Sequence, residues 1–341
     1  MVNRHFLRQK VLQSLYAYYK GGADDKESQE KFMDENISKL YELQIYLLSA
    51  ILNVRNLEQD RIQEATRKFY PTEEEKNPNL RFVNNVFFQK IASNEELKSA
   101  ISRLKIDFSL SQEVFYTIMN RFRQSESYIT YMEKTEVDYE DERKIVIQLF
   151  KNYLIKNENL YELISEKGFT WDCDYDYVCQ TTLQFLKTWN EEDSPQKSLP
   201  FPFDRSDKDA DESDKDFIHN LFNNTIAHFK DYDKYIDKRS ENWDKDRIAY
   251  IDILIIKMAI SEFTYCPSIP LRVTLDEYIE LAKEFSTEKS RLFVNGVLDR
   301  IITDLRIENK IHKKEDDQML FFETTEENKD AYSSINTKIE Q

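Results

Sequence analysis

Glycine is scarce in this sequence of 341 residues, and its scarcity excludes several classes of protein. The four glycines are Gly21, Gly22, Gly168 and Gly296. A β-rich fold needs many glycines in its hairpin turns, and a nucleotide-cradling loop needs them where the backbone approaches phosphate. Proline is also sparse, at seven residues, whereas helix-compatible Leu, Ile, Lys and Glu are abundant. The composition therefore predicts an all-α fold.

Few cysteines and no long apolar run exclude further classes. Cys173, Cys179 and Cys266 form no Cys-x-x-Cys pair, so the sequence supports neither a disulfide framework nor a structural zinc site. No apolar run reaches the roughly 18 residues of a membrane span, and the N-terminus lacks the apolar core and cleavage site of a signal peptide. We expect a cytoplasmic protein that contacts no membrane and uses no metal or other cofactor.

Catalytic motifs are also missing. The four histidines are scattered, and the sequence has no His-Glu-x-x-His, no Gly-x-Ser-x-Gly and no local Cys/His pairing. Asp172, Asp174 and Asp176 alternate as in a calcium loop, but the glycine and the final acid of such a loop are absent. We therefore predict that the chain is not an enzyme.

The net charge of −16 argues against non-specific binding to nucleic acid, because Lys and Arg supply most of that affinity. The first 20 residues are the exception, since they carry Arg4, Arg8, Lys10 and Lys20 and no acid. Arg4 and Arg8 lie one turn apart at a predicted helix start, where exposed amide groups and two guanidiniums suit one phosphate. A solvated basic helix end is the alternative interpretation.

Apolar periodicity and helix breakers divide the chain into five segments. Leu7, Val11 and Leu15 recur at helical spacing and predict a first helix within 1–20. The others are a helical insertion at 21–189, an acidic and proline-containing linker at 190–212, a helical block at 213–312 and a polar tail at 313–341 whose composition predicts disorder. Helices within the insertion are predicted near 30–69, 80–106, 110–133, 140–165 and 174–188. The last helical block is short for an independent core, so we expect the first helix to pack into it.

Three helices are predicted inside the 213–312 block near its C-terminal end. The segment DRIAYIDILIIKMAISEFTY (246–265) is apolar nearly all round, which is typical of a buried helix. Asp252 interrupts it and either faces a solvent edge or is held for a basic partner. Further along, Thr274 and Glu277 are predicted to form a capping box, and Ser286 to cap the following helix.

That following helix carries an aromatic residue and a glycine that suggest a ligand. Phe293 lies one turn after Lys289, and an aromatic ring beside a cation suits an unstacked RNA base, although the same spacing fits a core residue. Gly296 within the helix costs roughly 1 kcal/mol relative to alanine. This cost indicates that another helix or a ligand approaches closely.

The ordered residues of 270–299 resemble the signature of the NusB family of bacterial antitermination factors. The matching positions are Pro270, Val273, Asp276-Glu277, Glu280 to Lys283 and Phe293 to Asp299. RHFLRQKVLQSLYAYY is similar to the arginine-rich first helix of the family, and DRIAYIDILIIKMAISEF is similar to its central helix. The insertion from about 21 to 210 has no counterpart in the compact family pattern.

The resemblance implies a helical bundle of the NusB type that is closed by the first helix and the C-terminal block, with an inserted helical domain. It also implies a role in transcription antitermination, supporting processive transcription of ribosomal RNA operons. The implied partners are boxA-type single-stranded RNA, the ribosomal small-subunit protein NusE and the transcription elongation complex. The implied RNA-binding residues are Arg4, Arg8, Lys10, Lys289, Arg291, Phe293 and Asn295. The implied NusE-binding residues are Asp246 and Asp252.

Two other functions remain as alternatives. A NusB-like domain fused to an RNA methyltransferase would need a glycine-rich cofactor loop after a strand, and the insertion offers only Gly168 among predicted helices. A protein-interaction scaffold that kept the fold and lost RNA binding is compatible with the acidic balance. Titration of RNA with and without NusE separates this scaffold from an RNA-binding factor.

Overall fold

The computed structural model describes residues 4–21, 25–168, 170–200, 213–239 and 249–313. Their regular structure is helical, with no strand in these ranges, so the predicted all-α fold is confirmed. The chain forms two compact units. Unit 1 spans Asp34–Pro202, whereas unit 2 combines two separate segments, Val2–Met33 and Phe203–Gln341. The predicted linker from 201 onward and the predicted tail from 314 onward lie outside the described residues.

The described residues contain fifteen α-helices. The first ten are α1 (Arg4–Lys20), α2 (Lys26–Thr66), α3 (Glu73–Lys76), α4 (Val86–Ser93), α5 (Glu95–Leu104), α6 (Gln112–Arg123), α7 (Glu126–Glu133), α8 (Tyr139–Leu149), α9 (Glu158–Ser165) and α10 (Trp171–Thr188). The last five are α11 (Asp214–Ala227), α12 (Asp233–Arg239), α13 (Tyr250–Tyr265), α14 (Leu271–Phe285) and α15 (Glu288–Ile307). Helix α2 contributes its first turns to unit 2 and the remainder to unit 1.

Unit 1 has more and shorter helices than the periodicity predicted, because polar side chains cap new helices inside the predicted ones. The segment predicted near 80–106 divides at Asn94, whose side-chain oxygen accepts a hydrogen bond from the amide of Leu97. The segment near 110–133 divides at Ser125, whose hydroxyl accepts from the amide of Tyr128. Asn and Ser satisfy the free amides of a helix start, so each stops one helix and begins the next.

The first part of the predicted linker is packed onto unit 1. The amide of Glu95 donates to the carbonyl of Pro195 at 3.0 Å, and the amide of Leu199 donates to the Glu96 carboxylate at 2.9 Å. The side chains of Trp189 and Leu199 are buried. The proline and acidic residues of this segment predicted a linker. The start of α5, however, provides both a donor and an acceptor for the backbone of the segment.

Unit 2 is built around α13, which packs against α11, α14 and α15. Helix α1 packs against α11 and α13, and its Leu7, Val11 and Leu15 are fully buried. The first helix therefore closes the bundle formed by the C-terminal block, as the sequence predicted. Burial of each of these side chains stabilises the unit by roughly 1.5–3 kcal/mol relative to exposure.

Two kinds of site are not found among the described residues. None of the helices in the described ranges combines the length and the apolar composition that a membrane crossing requires. The same ranges contain no group of three or more His, Cys, Asp or Glu side chains placed to hold a metal ion.

Candidate nucleic-acid interface

A buried carboxylate, that of Glu262 in α13, connects three helices of unit 2. Arg8 of α1 donates to both of its oxygens, from Nε at 2.8 Å and from Nη2 at 2.6 Å. From α14, the hydroxyl groups of Thr274 and Tyr278 donate to it at 2.9 Å and 3.0 Å. Burial and the charge of Glu262 raise the pKa of the Tyr278 phenol well above its usual value, so this phenol remains a donor. The bidentate Arg pair and the two hydroxyls fix α1, α13 and α14 together.

The structure corrects two sequence predictions about helix starts. Thr274 does not cap α14, because its hydroxyl is bound to Glu262, and the helix begins three residues earlier, after Pro270. Ser286 does not cap α15 either. The cap is Thr287, whose hydroxyl accepts from the amide of Ser290 at 3.1 Å.

The structure also corrects the predicted roles of Arg8 and Lys10. Arg8 is 1% exposed and bound to Glu262, and Lys10 is 2% exposed with its ammonium 5.1 Å from the ring centre of Phe6. Neither side chain has surface to offer to a phosphate. A signal for Arg8 was present in the sequence, because Leu12 and Leu15 follow it at four and seven residues and place it on the buried face of α1.

Arg4 keeps part of its surface. Its guanidinium Nε lies 3.2 Å from the Asp214 carboxylate at the start of α11, and the side chain is 31% exposed. Its Cζ lies 5.0 Å from the ring centre of Phe217, and the Cζ of Arg8 lies 5.2 Å from the same ring. The buried Phe217 ring therefore orients both guanidiniums through cation–π contact.

His5 forms a polar seam between α1 and α14. Its Nδ1 lies 2.7 Å from the Glu277 carboxylate and its Nε2 lies 3.1 Å from the Glu284 carboxylate. The two ring nitrogens can donate at the same time only when the imidazole is protonated. The hydrogen bond to Glu277 raises the pKa of His5 against the lowering effect of burial, and the Glu284 contact raises it further. Arg8 Nη1 lies 3.3 Å from the same Glu277 carboxylate and extends the seam.

We predict that His5→Gln destabilises unit 2 in a pH-dependent way. Because the folded pKa of His5 is raised above 6.5, its stabilisation is fully present below pH 6.5 and is lost as the pH rises through the raised pKa. The free energy of unfolding of the parent should exceed that of the variant by roughly 1 kcal/mol near pH 6 and by less at higher pH. Urea unfolding of both proteins at a series of pH values measures this difference. A difference that stays constant from pH 6 to pH 9 would show that the imidazolium is not the stabilising form.

The start of α15 carries the second group of predicted RNA-binding residues. Lys289 is exposed, Asn295 is half-buried, and Arg291 is half-buried with its guanidinium 2.5 Å from the Glu288 carboxylate. Phe293 is 4% exposed, so its ring belongs to the core in this structure and the predicted stacking platform is corrected. Leu292, which the sequence did not single out, is 62% exposed.

The basic start of α1 lies beside the corner that leads into α15. Glu284 is four residues before the first residue of α15. It contacts both His5 and Gln9, with the Gln9 amide nitrogen 2.6 Å from its carboxylate. The first turns of α1 and the α14–α15 corner therefore form one end of unit 2.

Of the two acids predicted to bind NusE, the structure describes one, and that acid is buried. Asp252 is 3% exposed, and its Oδ1 accepts no hydrogen bond within the described part of the chain. Its carboxylate is therefore not available to a basic partner surface in this structure, which corrects that prediction. Asp246 lies outside the described residues.

Comparison with known proteins gives consistent matches. Residues 178–303 match the family model described as the NusB family. The curated transcription antitermination protein NusB of Thermodesulfovibrio yellowstonii is 33% identical over 141 residues, which cover 39% of this chain and 93% of that protein. Proteins with the same description from Chloroherpeton thalassium and Salinibacter ruber are 39% and 40% identical over 104 and 105 residues, 30% and 31% of this chain.

The chain spans about half of the Chloroherpeton protein, at 49%, and 66% of the Salinibacter protein. No solved structure matches. The match to the Thermodesulfovibrio protein, in contrast, covers nearly all of that relative at more than 30% identity. On this match, and on the helical bundle that the matched residues build around α13, the chain belongs to the NusB family.

Proposed function

We propose that this protein is a transcription antitermination factor that binds boxA-type single-stranded RNA together with NusE, within the elongation complex that transcribes ribosomal RNA operons. The proposal involves no catalytic step, and it places the protein in the cytoplasm. Unit 2 carries the RNA contacts.

The contact between the start of α1 and the α14–α15 corner carries this proposal. It brings Arg4 to the same end of unit 2 as Lys289 and Arg291, in a protein that is otherwise strongly acidic. A single strand that crosses this end would meet cations from both helices, and phosphate neutralisation is the main source of affinity for nucleic acid. Asn295 is half-buried in the same helix as Lys289 and can donate a hydrogen bond to a base.

Electrophoretic mobility of a boxA-containing RNA tests the proposal directly. The RNA is titrated with the full chain, with NusE and with both proteins at a stated salt concentration, because affinities depend steeply on salt. We expect the two proteins together to bind and shift the RNA more tightly than either protein alone. An RNA of the same length with a scrambled boxA should bind more weakly. Equal binding of the two RNAs would remove the boxA assignment.

Removal of two cations at this end should weaken RNA binding without unfolding the protein. We expect Arg4→Gln combined with Lys289→Gln to lose about tenfold in affinity and to reduce the slope of log affinity against log salt by about 1.4, since each phosphate contact contributes about 0.7. Fluorescence anisotropy of labelled RNA at four salt concentrations measures both quantities. Lys98→Gln, an exposed lysine on α5 of unit 1, is the matched control and should leave both unchanged.

A protein-interaction scaffold without RNA binding is the second candidate, and the burial of Arg8, Lys10 and Phe293 favours it. Three predicted RNA contacts are lost to the core, which leaves fewer cations for a phosphate backbone. Under this alternative, the protein binds NusE while the boxA RNA stays unshifted with the protein alone and with both proteins. The same titration therefore decides between the two functions.

A further inference from the structure

Gly296 occupies an unusual position in the middle of α15. A helix-interior glycine is destabilising relative to alanine, and a close neighbour that leaves no room for a side chain is the usual reason to keep one. Apart from its two chain neighbours and the adjacent backbone of α15 itself, no heavy atom of the described residues lies within 4 Å of the position that a Cβ atom would take. The packing of the described chain therefore gives no reason for this glycine.

Gly296 lies at the centre of the outward face of α15. With 100° between successive residues, Lys289, Leu292, Arg300 and Thr303 fall within 40° of Gly296, and all four side chains are exposed. The buried residues Val294, Leu298, Ile301 and Leu305 lie 140° or more from Gly296 around the helix axis. Val297 lies 100° away, and the buried Phe293 borders the outward face at 60°. The face is thus a shallow gap in the surface, with a lysine on one side and an arginine on the other.

We propose that this face receives the sugar-phosphate backbone of the bound RNA, with Gly296 as the point of closest approach and Arg300 as a further phosphate contact. The inference rests on the proposed RNA-binding function and extends the strand beyond the first turn of α15. Without a Cβ atom at 296, a strand can lie against the main chain of the helix. Lys289 and Arg300 flank that point at about 10 Å and 6 Å along the helix axis.

The charge of this face favours an anionic strand as the molecule that binds there. Within the part of the chain that the structure describes, Lys289 and Arg300 make no ion pair, although the chain as a whole has a net charge of −16. Among the residues of α15 within 60° of Gly296, Asp299 is the one acid, so Lys289, Arg300 and Asp299 together leave a net positive charge. An anionic strand complements it. A second copy of this chain placed across a two-fold axis would bring the same cations together, which opposes self-association through this face.

Gly296→Ala gives a test in which stability and RNA affinity change in opposite directions. We expect the melting temperature of the full-length variant to rise by about 2–4 °C, because alanine favours the helix and has open space around it. Affinity for boxA-containing RNA should fall about tenfold, because the added methyl group prevents the closest approach of the strand. Differential scanning calorimetry and RNA anisotropy measure the two effects.

Arg300→Gln tests the phosphate contact, and Arg306→Gln is its matched control. Both arginines are exposed on α15, but Arg306 lies 120° around the helix from Arg300. The first variant should reduce the salt slope by about 0.7, and the second should leave it unchanged. The inference would be overturned if the Gly296→Ala protein bound RNA as tightly as the parent. It would also be overturned if Arg300→Gln and Arg306→Gln changed the salt slope equally. A parent protein that binds no RNA would instead refute the proposed function itself.

Discussion

Glu262→Ala is expected to destabilise unit 2 by about 3–5 kcal/mol, because it removes the buried, bidentate counter-charge of the Arg8 guanidinium and leaves only the partly exposed Glu277 carboxylate at 3.3 Å. The same change removes the acceptor of the Thr274 and Tyr278 hydroxyls, which are both buried. Hydrogen exchange of the full-length protein, followed by mass spectrometry of peptides, reports the loss locally. Peptides from α1, α13 and α14 should lose protection, whereas peptides from unit 1 should keep it.

The matched control is Glu280→Ala on α14. Glu280 pairs with Lys283 at 3.0 Å on exposed surface, where such pairs contribute about 0–1 kcal/mol. The double variant Arg8→Met with Glu262→Leu should recover much of the stability lost in Glu262→Ala, since apolar residues can replace a buried ion pair. A cost below about 1 kcal/mol for Glu262→Ala would mean that the pair is not desolvated as the structure indicates.

Phe87→Ala is expected to cost unit 1 about 3–5 kcal/mol, the usual range for removal of a buried aromatic side chain. The Phe87 ring is fully buried, with its centre 5.9 Å from that of Tyr139 and 6.2 Å from that of Trp189. Its loss leaves a cavity where α4, α8 and the end of α10 meet. Peptides from these three helices should lose protection in the same exchange experiment.

Phe69→Ala provides the control with the same chemistry. The Phe69 side chain is 88% exposed, so its removal should change the free energy of unfolding by less than about 0.5 kcal/mol. Similar costs for the two substitutions would show that the aromatic cluster around Phe87 does not stabilise unit 1.

The fold of unit 2 could be predicted from the sequence because its signals are periodic. Leu7, Val11 and Leu15 define one face of α1, and the nearly unbroken apolar run of α13 marks a central helix. Both signals depend only on spacing along a single helix. The boundaries in unit 1 could not be predicted as well, because Asn94 and Ser125 fit either a helix interior or a cap until the neighbouring packing is known.

The candidate site could be predicted less completely, because a charged residue does not reveal its partner. Arg8 looks like an RNA contact in sequence, yet its partner Glu262 lies 254 residues away and takes it into the core. Thr274 shows the same limitation, since the capping-box pattern is present but the hydroxyl binds Glu262 instead. The surface position of Lys289 could be predicted without knowledge of a partner, and the side chain is exposed in the structure.

The division of unit 2 into two sequence segments has a consequence for synthesis on the ribosome. At about 5–20 residues per second, the 254 residues that separate Arg8 from Glu262 take about 13–50 s to translate. Unit 1 is continuous and can fold during this interval, whereas α1 has no bundle to join until α13 has left the exit tunnel. The apolar stripe of Leu7, Val11 and Leu15 therefore lacks its native partners during this interval, and we expect chaperones that shield exposed apolar segments to bind it.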